Sequence, residues 1–320
     1  EDAHTHALAR SMDLVKLSSN PYDLGTIVRI QNGGNRRRIV ALLGPTNSGK
    51  THAALELLRK APSGAYLAPL RLMALEGWER LRAYGLSVNM RTGEETIESE
   101  FARHTSATIE MADVETPVSV TVIDEAQLLD DPIRGWAWTR AICHAKSEIV
   151  AVTGSADCLP ILRRIVGLTG ESLEIHEFER RAPLIALQSP IELQDLAPGD
   201  ALIAFSRANV LALKAELSRM NNPATGAPTL IKYDGRNVRD LTASEIRQIG
   251  GRAGRHGQKG GGYVGMLNGA GVSTAPIHRA LQHAPSAPLD SRPHILPSFE
   301  QIHTGMRALE LDALSKALPA

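Results

Sequence analysis

Between residue 38 and about residue 180, short apolar runs alternate with helix-length segments that carry polar residues on one side. That alternation is the signature of a parallel sheet covered by helices on both faces. The apolar runs predict strands at Ile39–Leu43, Ala65–Ala68, Ser87–Met90, Ala107–Glu110, Ser119–Ile123, Ile149–Val152 and Leu173–Phe178. Between them Thr51–Lys60, Leu70–Ala83 and Gly135–Ala145 read as helices. A seam follows from Arg180 to Pro190. A second set then opens with a strand at Ala201–Phe205, a helix from Ala208 to Met220 and a last strand at Tyr263–Leu267. Asn221–Pro228, rich in Pro, Gly and Asn, reads as a break. The expected fold is α/β, with two parallel-sheet domains and a short, mostly helical tail. A lead-in covers residues 1–37, the first domain 38–181, a shortened second domain 182–270, and the tail 271–320, with a helix at Phe299–Lys316.

Composition narrows this picture only modestly. The 320 residues allow two domains with sizeable cores, built from Leu, Ile, Val and Ala because only 4% are aromatic. Lys plus Arg and Asp plus Glu number 35 each, a balance compatible with a nucleic-acid channel but no argument for one. Two cysteines, Cys143 and Cys158, are too few for a disulfide framework and fit a reducing compartment. No apolar run reaches the length of a membrane span, and residues 1–20 lack the apolar core of a secretory signal. The basic run Arg36-Arg37-Arg38 reads as a solvated approach to the first strand. His4, His6, His278, His283, His294 and His303 lack the spacing of a metal cage and read as solvated tail residues.

Three constellations carry chemistry. Gly44-Pro45-Thr46-Asn47-Ser48-Gly49-Lys50-Thr51 is a complete G-x-x-x-x-G-K-[ST] loop between a predicted strand and a predicted helix. Its glycines let backbone N–H groups wrap a polyphosphate, and the helix dipole supports the charge. Lys50 is placed for the outer phosphates and the Thr51 hydroxyl for Mg²⁺. The strand Ser119–Ile123 feeds into Asp124-Glu125-Ala126-Gln127: Asp124 stands where a metal-holding acid belongs, and Glu125 where a base can polarise water. Downstream, Gln248-Ile-Gly-Gly-Arg252-Ala-Gly-Arg255 sets two arginines on one side of a helical turn, suited to transition-state phosphate charge.

Together these elements resemble the superfamily 2 helicases. The resemblance narrows to the ATP-dependent RNA helicase of the mitochondrial RNA degradosome and its bacterial relatives. Tyr66-Leu-Ala-Pro-Leu-Arg71, Arg91-Thr-Gly-Glu-Glu95, Thr108-Ile-Glu-Met111, Val122-Ile-Asp-Glu125 and Arg134-Gly-Trp-Ala-Trp-Thr-Arg140 follow the phosphate loop in order. Arg134–Arg140 is the most distinctive of them. The resemblance implies two RecA-like domains, ATP with Mg²⁺, and RNA, single-stranded or duplex, or DNA as partner. It implies catalytic roles for Lys50, Glu125, Gln248, Arg252 and Arg255, and metal binding by Thr51 and Asp124. It assigns nucleic-acid contacts to Pro69, Arg71, Thr92, Gly93, Thr108 and Glu110, and coupling of ATP state to unwinding to Thr153-Gly154-Ser155. An exoribonuclease partner, and a bacterial cytoplasm or a mitochondrial matrix as location, also come with it. Trp136 and Trp138, on a helix behind the metal-holding turn, read as core residues rather than base-stacking ones.

The family pattern expects a further strand and loop between Ser206-Arg207 and Gln248, where this sequence has only the poor remnant Ala224-Thr225-Gly226. Three explanations stand open: a natural loss, omitted residues near Met220 to Thr229, or completion by another chain. The rival to a working helicase is therefore a degenerate ATP-binding module that holds RNA or a partner without unwinding. A small-molecule P-loop kinase shares Lys50 and Thr51 but leaves Asp124-Glu125 and Gln248–Arg255 without a purpose.

Overall fold

The computed structural model describes residues 37–180, 183–197, 200–203, 207–219, 225–226, 231–233, 238–253, 262–267, 274–282 and 293–294. The chain forms two compact units that part between Glu179 and Arg180, with the loop residues Pro45–Ser48 grouped with the second.

In the first unit the chain runs β1 (Arg38–Leu43), α1 (Lys50–Lys60), β2 (Gly64–Ala68), α2 (Arg71–Ala83), β3 (Val88–Arg91), β4 (Thr96–Ile97) and β5 (His104–Thr108). It continues through β6 (Val118–Ile123), α3 (Gly135–His144), β7 (Ser147–Gly154), α4 (Leu159–Thr169) and β8 (Ser172–Glu177). The eight strands lie in the order β4-β3-β5-β2-β6-β7-β1-β8. All pairings are parallel except that of the short edge strand β4 with β3. Each face of this sheet is covered. Ile39, Ala41, Ile123, Val150 and Val152 turn toward Trp138, Ile142, Ile161 and Leu162 of α3 and α4. Val40, Leu42, Tyr66, Val122 and Ala151 turn toward Leu55, Leu58, Ala74 and Leu81 of α1 and α2. Strands buried on both faces explain why β1, β6 and β7 read as continuous apolar runs. Trp138 is wholly buried, and Trp136 packs half-buried against the same core, as read from their helix.

Two expectations need correction. The strand predicted at Ala107–Glu110 instead spans His104–Thr108, and Ile109–Met111 form a 3₁₀ turn. The strand opens with polar residues because the fold supplies partners for them. The Ser106 hydroxyl donates to the Ala74 carbonyl at 2.6 Å, and the His104 ring bonds the Leu58 carbonyl at 3.1 Å. Arg37 is likewise not solvated: at 2% exposure it makes a two-pronged ion pair with Glu171 and donates to the Ala145 carbonyl at 2.7 Å. Arg36 lies outside the described residues.

In the second unit the described strands pair two by two. Parallel pairs join β9 (Leu184–Ala186) with β14 (Gly262–Val264) and β10 (Ala201–Leu202) with β11 (Thr225–Gly226). β12 (Ile231–Tyr233) and β13 (Val238–Asp240) form an antiparallel hairpin. Helices α5 (Arg207–Arg219), α6 (Ala243–Gly250) and α7 (Ala275–Gln282) complete it. A small core of Ile246, Met266, Ile277 and Ala280 joins α6 and α7 to β14. The break expected over Asn221–Pro228 thus contains a two-residue strand, too short for any apolar run to announce. The helix expected at Phe299–Lys316 lies outside the described residues. Among the described residues, no helix is long and apolar enough to cross a membrane.

Candidate active site and nucleic-acid edge

Every chemistry-bearing segment of the first unit leaves the carboxyl end of a strand, so the sheet presents them along one edge, where parallel α/β sheets bind ligands. β1 opens into the Gly44–Thr51 loop, and β6 into Asp124-Glu125. β7 lies between those two strands and ends at Thr153-Gly154.

The loop is shaped for an anion. Gly49 has φ +93, a left-handed conformation in which an L side chain would be strained. α1 begins at Lys50, so its unpaired N–H groups face the loop. The Ser48 hydroxyl is buried and has no hydrogen-bond partner among the described residues, a donor suited to a phosphate oxygen. Lys50 is only 7% exposed. Burial pulls its pKa down, and the negative charges of Glu125 and Asp124 pull it back up. The net effect is a lowered pKa, because burial outweighs the attraction of the two acids. Thr51, half-buried, is the next residue of the same helix.

Asp124 is 1% exposed and heavily bonded. Its Oδ1 accepts from the Thr153 hydroxyl and, at 3.0 Å, from the Glu125 N–H; its Oδ2 accepts from the Tyr66 hydroxyl at 2.7 Å. Burial first, and then the Asp124 charge, push the Tyr66 pKa well above its usual value, so Tyr66 remains a donor. A carboxylate offers about four lone-pair directions, and three are taken. The one left could serve a metal ion or a water bound to it. The Asp124 carbonyl also accepts from the Trp138 indole N–H at 2.9 Å.

Glu125 has φ +55, outside the usual range for a residue with a side chain. Such strain persists only where the surroundings impose it, and it turns the Glu125 carboxylate away from the path of the strand. That carboxylate accepts from the Gln127 side-chain amide. The other end of the same amide accepts from the Ser155 N–H at 3.2 Å. The Gly44 N–H, in turn, donates to the Gly154 carbonyl at 3.0 Å. Thr153, Gly154 and Ser155 therefore touch, respectively, Asp124, the Gly44–Thr51 loop and, through Gln127, Glu125. Gln127, to which the sequence pattern alone assigns no role, thus bridges Glu125 and Ser155. Its place two residues after Glu125 was the available signal.

The residues assigned to nucleic acid gather on the ends of three neighbouring strands, β3, β5 and β2. Arg71 is exposed at the start of α2, paired with Glu94 and, at 3.8 Å, with Glu95. An exposed pair of this kind is worth at most about 1 kcal/mol, so a phosphate can displace the glutamates. Thr92 is buried; its hydroxyl closes a turn by bonding Glu95, and Gly93 stands exposed in that turn. Pro69 is buried with its carbonyl engaged by Arg134, and Glu110 is paired with the same arginine. Thr108 is half-buried at the end of β5. In the second unit Gln248 is half-buried on α6, a helix opened by a Thr242/Glu245 capping box. Arg252 is exposed in the turn that follows α6, and Arg180 donates to the Gly251 and Ala253 carbonyls of that turn. Arg255 lies outside the described residues.

Comparison with known proteins shows which family the first unit resembles. Residues 31–178 match the family model of the DEXQ-box helicase domain of Suv3. The chain is 34% identical over 270 residues to the mitochondrial ATP-dependent RNA helicase SUV3L of Oryza sativa subsp. japonica, covering 69% of this chain and 37% of that protein. It is equally similar, 34% over 271 residues with the same coverages, to the mitochondrial ATP-dependent RNA helicase SUV3 of Saccharomyces cerevisiae. With the mitochondrial DExH-box ATP-dependent RNA helicase DExH16 of Arabidopsis thaliana it shares 31% over 312 residues, 83% of this chain and 54% of that one. The chain thus spans between about a third and about half of the length of these relatives. With Asp124-Glu125-Ala126-Gln127 standing as the box for which that family model is named, residues 31–178 carry a DEXQ-box helicase domain of the Suv3 type.

Proposed function

We propose that this chain is the motor core of an ATP-dependent RNA helicase, converting ATP hydrolysis into movement along, or separation of, RNA strands. The observation that carries the reading is the bonding of Asp124 to Thr153, and of Glu125 through Gln127 to Ser155. A protein that only stored nucleotide has no use for a base held in a strained conformation and tied to a neighbouring strand.

In this reading the Gly44–Thr51 loop holds the ATP phosphates, with Lys50 neutralising the outer ones and Thr51 and Asp124 holding Mg²⁺. Bound there, the ion offsets charge on the phosphate oxygens. Glu125 accepts the proton of the attacking water, and Gln127 keeps its carboxylate oriented. Gln248, Arg252 and Arg255 are the second unit's groups for the charge that develops on the transferred phosphoryl group. The edge formed by Pro69, Arg71, Thr92, Gly93, Thr108 and Glu110 holds one RNA strand by its backbone. Contacts of that type fix position without reading sequence, so support for RNA over DNA comes from the relatives' names alone. Those names also support a mitochondrial location, while a bacterial cytoplasm stays compatible with the sequence.

The test is phosphate release from ATP, with and without single-stranded RNA, on this chain and on Glu125→Gln. RNA should stimulate turnover, and Glu125→Gln should lower it on the order of 10²–10⁴-fold while ATP still binds. ATP binding without turnover in either protein would instead establish the binding-module alternative.

A further inference from the structure

The stretch opened by Arg134 is the most distinctive part of the sequence, yet the chemistry above gives it no work. Its surroundings supply one. The Asp131 carboxylate accepts from the backbone N–H groups of Ile133, at 2.9 Å, and Arg134, at 2.8 Å. This turn fixes Arg134 at the mouth of α3, with its side chain directed across the carboxyl edge of the sheet. From there the guanidinium meets three separate elements. Nε donates to Glu110 Oε1 at 2.8 Å, with Nη2 2.7 Å from the same oxygen. Nη2 also donates to the Pro69 carbonyl at 2.5 Å. The guanidinium carbon lies 5.6 Å from the ring centroid of Trp138, within cation–π range. Trp138, wholly buried, bonds the carbonyl of Asp124.

We propose that Arg134 is a positioning residue for nucleic-acid-dependent turnover. It clamps the loops after β2 and β5 into one surface and joins that surface, through Trp138, to the turn bearing Asp124. The inference rests on the helicase reading above and deepens it. Chemistry favours arginine here: one planar fork serves a carboxylate and a carbonyl at once while its face lies on an indole, which a lysine ammonium cannot do. It also recasts Glu110. A bare carboxylate on a surface that receives a polyanion would repel it, whereas Glu110 paired with Arg134 presents no net charge. Glu110 therefore acts through Arg134 rather than on the nucleic acid directly.

The experiment is ATP turnover titrated with an oligouridine single strand. Alongside it run the Michaelis constant for ATP without RNA, thermal unfolding, and anisotropy of a fluorescein-labelled oligouridine in the presence of a non-hydrolysable ATP analogue. The proteins are wild type, Arg134→Ala, Arg134→Lys, Glu110→Ala, the Arg134→Ala/Glu110→Ala pair, and Arg38→Ala. Arg38 pairs with Glu174 at the opposite, amino end of β1 and serves as the control. Misplacing a contact by about 1 Å can cost on the order of 10²-fold. Arg134→Ala should therefore raise the RNA concentration for half-stimulation by about tenfold or more, with the ATP constant within about twofold. Arg134→Lys should recover only part of the loss. The double variant should be no worse than Arg134→Ala alone, since both residues serve one clamp. Arg38→Ala should match wild type in RNA response and ATP constant, with at most a small drop in melting temperature. An unchanged RNA titration in a stimulated wild type overturns the assignment of Arg134, as does an equal loss of ATP affinity, RNA response and melting temperature, which would mark a merely structural residue. A wild type that RNA neither binds nor stimulates overturns the helicase reading itself.

Discussion

Gly77 lies on the face of α2 that packs against β2, and replacing it with alanine sets two effects of opposite sign against each other. Alanine is the better helix former by up to about 1 kcal/mol in a helix interior. The added Cβ, however, would stand 2.4 Å from both Cδ1 and Cε1 of Tyr66 and 3.2 Å from the Ser106 hydroxyl oxygen. Carbon atoms ordinarily rest about 3.5–4.0 Å apart, so the shortfall is about 1 Å. Neither neighbour yields easily. Tyr66 is 3% exposed and its hydroxyl is tied to Asp124, while Ser106 is tied to the Ala74 carbonyl of α2 itself. If the ring tilts by that amount, its 2.7 Å bond to Asp124 passes the range of a real hydrogen bond. If α2 withdraws instead, the packing beneath it opens. Either route costs about 2–3 kcal/mol, which outweighs the propensity gain. The expected net loss is about 1–2 kcal/mol, or roughly 2–8 °C in melting temperature for a domain of this size. Thermal unfolding followed by circular dichroism measures it, and Tyr66→Phe in both backgrounds locates the cause. With the hydroxyl bond already strained by the added methyl group, removing the hydroxyl should cost less in the Gly77→Ala background than in wild type. A Gly77→Ala protein that melts at or above the wild-type temperature would refute the reasoning.

Two further outcomes follow from buried groups. Arg37→Ala leaves Glu171 as an uncompensated buried charge and should cost about 3–5 kcal/mol in urea unfolding, whereas Arg38→Ala should cost no more than about 1. Equal effects would show that Arg37 is solvated after all. Burial pushes the thiols of Cys143 and Cys158 up to about 12, so their reactive thiolate forms are scarce anywhere below that pH. A thiol-specific alkylating reagent at about pH 8 should label neither cysteine in the native chain and both in urea, counted by mass. Native labelling at either site would contradict the burial.

Chemistry that depends on spacing along the chain is legible in the order of residues itself. The Gly44–Thr51 loop works through its own backbone and the helix that follows it, so eight consecutive residues carry the whole signal. Asp124-Glu125 is legible only beside that loop: acids at a strand end often merely cap the next helix, and it is the complete phosphate loop upstream that points them to a metal and a water. The strands β1, β6 and β7 can be read because burial on both faces leaves them apolar throughout. Other features are decided by partners distant in sequence. His104 and Ser106 sit in a strand because Leu58 and Ala74 accept their hydrogen bonds, and no alternation within residues 104–108 announces it. Arg37 reads as one of three solvated arginines, yet the fold brings Glu171 to it from 134 positions away. The strand order that inserts β7 between β1 and β6 makes Thr153 a partner of Asp124 and Gln127 a link to Ser155. Arg134 gains its meaning from Glu110, Pro69 and Trp138 together. The sequence determined which groups could do the chemistry, because reactivity and backbone shape are local properties. The tertiary structure decided which of those groups act on one another, because that depends on the order in which strands lie side by side.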